Sequence, residues 1–198
     1  MTKHSIGLYL SNASNKNLIL EQIISNKYLK DHINLESLKG LLHSTLTINR
    51  FIEKEIRHDK FPIYTTENKS LGSMSSGQQK KALLDYLILQ KPDYIVLDDV
   101  YSNINKATQE SITNTLSQLA ETTLLIQLFF RKRDMLPCIK TVYTVDENNT
   151  IIDAQNAEAF KTKQTISLTN QLVLKFPQGY DETHSNINPL VLLNSVSV

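Results

Sequence analysis

The run from Met74 to Asn105 constrains this chain more than any other stretch. It opens with a small-residue turn, MSSGQ, that can cap a helix. A mostly apolar helical segment follows, and Lys91-Pro92-Asp93 ends it because proline cannot continue a helix. An apolar strand, Tyr94 to Leu97, then ends on two adjacent carboxylates, Asp98 and Asp99, before a second polar turn. Two polar turns and an acidic strand end at fixed spacing indicate a phosphate and metal site.

Composition sets the frame for this run. The 198 residues can form one substantial core, and 40% hydrophobic with 21% charged residues is ordinary for a globular protein. The net charge of +1 gives no support for a nucleic-acid partner or an anionic membrane surface. A single cysteine forms no internal disulfide and fits a cytoplasmic protein, and no apolar run approaches the roughly 20 residues of a transmembrane helix.

The run resembles the ABC-type ATPase family, whose pattern is LSGGQ, a helix, a proline, an apolar strand ending in Asp-Glu, and a turn ending in Leu-Asp. MSSGQ stands for the signature, and Pro92 stands at the family's proline. Asp98 matches the Walker B aspartate, Asp99 takes the catalytic glutamate's place, and SNIN replaces the D-loop. The resemblance implies a P-loop NTPase-like α/β fold. It has a mainly parallel sheet, flanking helices and a small helical subdomain at about 47–90 that carries the signature.

The resemblance also implies roles for individual residues. Asp98 would hold Mg²⁺ through water, and Asp99 would polarise the attacking water, although aspartate is shorter than glutamate. The signature residues would bind ATP held by an opposite domain: Ser75, Ser76, Gly77 and Gln78. The residues alone leave two alternatives open, since a serine can simply cap a helix and two strand-end acids can simply cap a turn.

The start of the chain has the order of a P-loop. Ser5 to Leu10 reads as a buried strand, residues 11–17 as a polar turn, and residues 18–25 as a helix. By resemblance Lys16 is the P-loop lysine, and Asn17 replaces the hydroxyl residue that helps to hold Mg²⁺. The family's two glycines are replaced by Leu10 and Asn15, and without glycine the backbone cannot turn its N–H groups freely toward phosphate. We therefore expect a degenerate phosphate loop, with a solvated loop lysine as the alternative.

The remaining pattern predicts further elements. Leu41 to Ser44 is a strand, and Thr47 to Asp59 is a helix capped by Thr47. The apolar face of this helix is expected at Ile48, Phe51, Ile52 and Ile56. Lys80 and Lys81 are expected to be solvated. Later elements are a helix at 107–120, a buried strand at 122–130 and a hairpin at 139–153. By resemblance a switch histidine would follow the strand, but the sequence has Phe129 and Phe130 there, followed by Arg131-Lys132-Arg133, which we expect to be a solvated edge.

The domain prediction places a degenerate ABC domain at 1–154 and a linker at 155–188. Residues 189–198 would form the first strand of a second ABC domain that the chain cuts short. This arrangement resembles the first half of tandem soluble ABC proteins of the molybdate-transport or photorepair-associated type. The expected partner is a second ABC domain, in the same full-length chain or on a dimer mate. The expected location is cytoplasmic, either free or peripheral to the inner membrane.

Three functions follow from these predictions. The chain supplies its signature to an ATP site that a partner domain completes, with weak or no hydrolysis of its own. Alternatively, it is a non-catalytic scaffold that keeps the ABC fold for pairing. A third interpretation is an unrelated α/β protein with a coincidental SGQ. ATP and Mg²⁺ are the cofactors that the resemblance implies.

Overall fold

The computed structural model describes residues 4–58, 63 and 69–162. Six strands are described: β1 Ile6–Leu10, β2 Gly40–His43, β3 Tyr94–Asp98, β4 Leu124–Phe129, β5 Thr141–Val145 and β6 Ile151–Asn156. Four helices lie between them: α1 Lys16–Ile24, α2 Thr45–His58, α3 Ser76–Leu89 and α4 Lys106–Leu119. Short 3-10 turns cover Leu71–Ser73 and Lys132–Asp134, and residues 157–162 are helical.

The strands form one six-stranded sheet in the order β2-β3-β4-β1-β5-β6. Five strands run parallel, and β6 pairs antiparallel with β5 as the second arm of a hairpin. Because β4 lies between β1 and β3, the loops that follow these three strands meet at one edge of the sheet. The expected α/β fold with a mainly parallel sheet is confirmed.

Apolar side chains cover both faces of the sheet. In β3, Ile95 and Leu97 join a core with α3 and α4, whereas Tyr94 and Val96 join the opposite core. The second core is closed by α1. Burial on both faces explains why the sequence of β3 is continuously apolar rather than alternating, as it is in parallel sheets generally.

The helix α2 differs from its prediction in two respects. It begins at Thr45, and the hydroxyl of Ser44 accepts a hydrogen bond from the amide of Thr47, so Thr47 is not the cap. Ile56 is 79% exposed, whereas Glu55 is buried. Glu55 accepts hydrogen bonds from the Ser70 hydroxyl and the Leu71 amide, and these bonds draw Glu55 inward in place of Ile56.

The predicted linker begins with ordered structure. β6 continues through Asn156, and the helical residues after it bury Ala157 and Phe160. The Phe160 ring packs edge-on against Tyr9 and Phe129 of the sheet. The predicted remainder of the linker and the strand at 189–198 lie outside the described residues. Among the helices that are described, none combines the length and apolar character that a membrane crossing needs.

Candidate nucleotide and signature site

A cavity of about 250 Å³ lies at the edge where the loops after β1, β3 and β4 meet. Its walls come from these three strand ends and the turn after β4: Asn12, Lys16, Asp98, Asp99, Leu128, Phe129, Phe130, Arg131 and Asp134. Three of the predicted site residues, Lys16, Asp98 and Asp99, are therefore brought together. Asn17 and the signature residues are not part of this lining, and Asn17 is exposed on α1.

Lys16 and Asp98 form an ion pair across this cavity. The Lys16 ammonium lies 2.9 Å from the Asp98 carboxylate, and the side chains are only 29% and 11% exposed. In the family pattern the lysine would serve phosphate and the aspartate would serve Mg²⁺. Here each side chain is the counter-ion of the other, so the lysine is not the solvated loop residue of the alternative interpretation.

The amides of the loop before α1 donate hydrogen bonds to other groups of this chain. Five of its N–H groups donate to protein acceptors: Ser11 to Val145 O, Ala13 to Ser11 Oγ, Ser14 to Ser11 O, Asn15 to Asn149 Oδ1 and Lys16 to Ser14 O. Asn15 has a φ of −83° and accepts from the Leu18 amide as the cap of α1, so it does not use the left-handed geometry that glycine would allow. A phosphate cradle needs such amides to point at the ligand.

The remaining walls of the cavity do not favour a polyanion. Two cations and three carboxylates line it, which gives a net charge of −1: Lys16, Arg131, Asp98, Asp99 and Asp134. Arg131 is itself paired with Asp134 at 2.7 Å. Phe129 and Phe130 form the wall after β4, where the resemblance implied a switch histidine. ATP with Mg²⁺ does not fit these residues as they are arranged, because both cations are paired and Asp98 faces an ammonium.

The signature turn has a complete helix start. Ser75 is the cap of α3, and its hydroxyl oxygen accepts from the Gln78 amide. The Gln78 side chain accepts from the Ser75 amide at 3.0 Å, which completes a capping box. Ser75 and Gln78 are exposed. This end of α3 therefore presents a hydroxyl and the positive end of the helix dipole to its surroundings.

The signature turn is docked on the turn that follows β3. The Ser76 hydroxyl donates to the Asn103 carbonyl, so this exposed side chain is already hydrogen-bonded within the chain. Gly77 is buried against α4: a Cβ at Gly77 would lie 3.1 Å from Cγ2 of Thr108. Asn105, at the position of the family's D-loop aspartate, caps α4 by accepting from the Thr108 amide.

Lys80 was expected to be solvated, and that prediction is wrong. Its side chain is buried with 3% exposure, and its ammonium donates to oxygens of the turn after β3. Burial lowers the pKa of Lys80, while the carboxylates of Asp99 and Asp98 oppose that change. The missed signal is periodicity, since Lys80 shares its helix face with Leu83, Leu84 and Leu87 at i+3, i+4 and i+7. Lys81, its neighbour, is exposed as expected.

His43 lies behind Lys80 at the end of β2. It is 1% exposed, and its Nε2 lies 2.9 Å from the Lys80 carbonyl, to which the Nε2–H donates. Its Nδ1 has no partner among the described residues. Burial lowers the pKa of His43 to about 4. The imidazole is therefore neutral at physiological pH.

Comparison with known proteins agrees with this architecture. Superposition on a nucleotide-free ATP-binding cassette of an ABC transporter gives a TM-score of 0.58 at 14% identity, covering 83% of this chain and 85% of that one. The fold is that of an ABC-type ATPase cassette. A dimeric bacterial ABC transporter cassette gives a TM-score of 0.55 at 12% identity, covering 79% of this chain and 87% of that one. The expected P-loop NTPase-like fold of the ABC type is confirmed.

Curated relatives of the cassette carry the same family name. An uncharacterized ABC transporter ATP-binding protein of Schizosaccharomyces pombe is 23% identical over 137 residues, which cover 66% of this chain and 28% of the relative. The ribose import ATP-binding protein RbsA of Lactococcus lactis is 28% identical over 123 residues, covering 60% of this chain and 24% of the relative. The cassette thus spans less than a third of either relative. No protein-family model matches the chain.

The described residues hold no ready-made metal centre. Nowhere among them do three or more His, Cys, Asp or Glu side chains come together as ligands for a metal ion. Asp98 and Asp99 are adjacent at the end of β3, but Asp98 is committed to Lys16. A magnesium ion at this edge would have to displace the ammonium first.

Proposed function

We propose that the cassette contributes its signature turn to an ATP site that a partner cassette completes, with weak or no ATP hydrolysis of its own. The observation that carries the proposal is the Lys16–Asp98 ion pair, which closes the position where the family pattern would hold phosphate and Mg²⁺. The signature turn, in contrast, keeps its cap and its exposed serine. The half of the composite site that this chain can offer is therefore α3.

The chemistry of Ser75 supports this role. A hydroxyl has one donor and can also accept, and the capping bond to the Gln78 amide uses only its acceptor side. The Ser75 O–H remains available for a phosphate oxygen held by a partner. The N-terminal end of α3 adds a partial positive charge, which favours an anion in front of it. The other three signature residues hold the turn in place. Ser76 hydrogen-bonds to Asn103, Gly77 packs against Thr108, and Gln78 completes the capping box.

The partner in this proposal is a second ABC domain with an intact phosphate loop, because a copy of the present loop would offer the same closed ion pair. It belongs to the same longer protein or to a dimer mate. One structural neighbour is a dimeric ABC transporter cassette. The arrangement we favour is a tandem ABC protein of the molybdate-transport or photorepair-associated type, in the cytoplasm either free or peripheral to the inner membrane. Two relatives are named as an ABC transporter protein and a ribose importer, which supports a link to transport.

The test compares the ATPase activity of two variants in the native protein, purified from its own organism. Ser75→Arg places a large side chain at the exposed signature and should reduce ATPase activity by about tenfold or more. Lys16→Met removes the loop lysine and should leave the activity within about twofold of wild type, because this loop would not carry nucleotide. An equal loss from Lys16→Met would contradict the proposal. Circular dichroism on both variants confirms that each is folded.

The second function is the non-catalytic scaffold, which the same closed phosphate loop favours. If the chain serves only as a pairing partner, Ser75→Arg leaves any ATPase activity of the assembly unchanged while substitutions that disrupt the fold abolish assembly. The two functions are therefore separated by the effect of one exposed residue.

A further inference from the structure

A buried ammonium sits inside the turn that follows β3. The Lys80 Nζ lies 2.5 Å from the Asp99 carbonyl, 2.8 Å from the Ser102 carbonyl, 2.7 Å from the Ser102 hydroxyl and 3.4 Å from the Val100 carbonyl. All four oxygens belong to one turn. A lysine ammonium has three donors, and this arrangement provides an acceptor for each of them.

The turn needs such a donor. Asp99 and Asn103 have φ values of 56° and 54°, in the left-handed region that residues other than glycine seldom adopt. The left-handed turn aims the carbonyls of Asp99 and Ser102 inward, toward α3. An inward carbonyl without a donor would be costly, and hydrogen bonds to a charged donor are stronger than neutral ones.

Lys80 is also tied to two other elements. Its carbonyl accepts from His43 of β2, and its helix begins at the signature turn only one turn earlier. There the Ser76 hydroxyl donates to Asn103, and Gly77 packs against Thr108. The signature turn thus contacts the turn after β3 through Ser76 and the following helix α4 through Gly77, and Lys80 provides the charged contact with the turn after β3.

We propose that Lys80 is a positioning residue: its ammonium fixes the turn that carries Asp99 and joins it to the signature turn as one rigid element. The meaning of this element for catalysis rests on the proposed function. The mechanical claim does not, because it concerns only hydrogen bonds within this chain. The exposed neighbour Lys81 offers a matched control on the same helix.

Amide hydrogen exchange tests the mechanical claim. Lys80→Met keeps the length and helix preference of the side chain but removes the charge and the donors. Exchange at residues 99–105 and at the signature turn should accelerate by about tenfold or more, while β1 and α1 stay unchanged. Lys81→Met should leave both segments at the wild-type rate. Unchanged exchange at 99–105 in Lys80→Met, or an equal acceleration throughout the molecule, would overturn the proposal.

The ammonium also has a spectroscopic signature. With ¹⁵N-labelled lysine, the NH₃⁺ signal of Lys80 should persist at neutral pH because its protons are held in hydrogen bonds, whereas that of Lys81 should be lost to exchange with water. The persistent signal should disappear in Lys80→Met. Its absence from the wild-type protein would contradict the proposal. If Lys80→Met does not fold, Ser102→Ala is the alternative variant, because it removes one acceptor of the ammonium. Amide exchange should then accelerate at residues 99–105 alone. Unchanged exchange at these residues would contradict the proposal.

These outcomes separate the two proposals. Localised acceleration in Lys80→Met together with full ATPase activity in Ser75→Arg would support the positioning role and reject the signature function. The reverse pattern would keep the signature function and reject Lys80 as the residue that couples the two turns.

Discussion

At the level of single residues, the pairing of Lys16 with Asp98 is the basis of the proposal that this chain does not bind nucleotide in its own loop. The carboxylate is nearly buried, so removing its partner leaves a poorly hydrated charge. Because the lysine is partly exposed, water offsets some of this cost.

The ion pair gives a stability prediction. Lys16→Met should lower the free energy of unfolding by about 1–2 kcal/mol, between the values typical of exposed and buried pairs. Adding Asp98→Asn to that variant should recover part of the loss, because no unpaired carboxylate remains. Urea denaturation of the two single variants and the double variant measures the coupling. Lys27→Met, at an exposed position, should be neutral, and additive effects of Lys16 and Asp98 would contradict the pairing.

His43 gives a pH prediction. Its pKa of about 4 in the folded protein lies below the ordinary 6.5, so the unfolded chain binds more protons between these values. Its contribution to stability is therefore complete above pH 6.5 and declines as the pH falls toward 4. From pH 7.5 to pH 5, wild type should lose about 2 kcal/mol more than His43→Gln, whose amide keeps a donor for the Lys80 carbonyl. Equal losses in urea titrations would show that His43 does not titrate as a buried group.

At the level of elements, Ser75 at the start of α3 caps the helix and, in the proposed function, binds phosphate, and two substitutions separate these roles. Ser75→Ala removes the cap and should cost about 1 kcal/mol of stability. Ser75→Asp keeps a good cap, so its melting temperature should stay near that of wild type. The carboxylate would nevertheless repel a partner's phosphate, and ATPase activity of the native protein should fall. Thermal denaturation and ATPase assays on the two variants test this, and full activity in Ser75→Asp would count against phosphate binding at the cap.

The same helix shows what the sequence could reveal. Its start at a serine cap, its end before Pro92 and the apolar strand after Pro92 were predictable, because capping and hydrophobic runs are local signals. The burial of Lys80 was missed because a lysine beside another lysine resembles a solvated face. The one sequence signal for its burial was its helical spacing to Leu83, Leu84 and Leu87. In α2, Glu55 is buried instead of Ile56 because Ser70 and Leu71 donate hydrogen bonds to its carboxylate. This could not be predicted from the helix alone, since both partners are distant in sequence.

At the scale of the whole molecule, the sheet order determines which loops can cooperate. β4 between β1 and β3 brings the degenerate loop, the acidic pair and Phe130 to one cavity. From the sequence, the two polar turns and the acidic strand end predicted a phosphate and metal site but not its position in the sheet. The closure of the loop was not predictable, because its bonds reach Val145 and Asn149 of the distant hairpin. The exposed signature turn lies outside that cavity.

The proposed function requires that this chain does not hold nucleotide in its own phosphate loop. Equilibrium titration of the purified chain with a fluorescent ATP analogue and Mg²⁺ tests it most directly. No saturable binding is expected up to about 1 mM, which corresponds to a binding free energy weaker than about −4 kcal/mol, and Lys16→Met should change nothing. Saturable micromolar binding that Lys16→Met abolishes would show instead that this loop holds nucleotide.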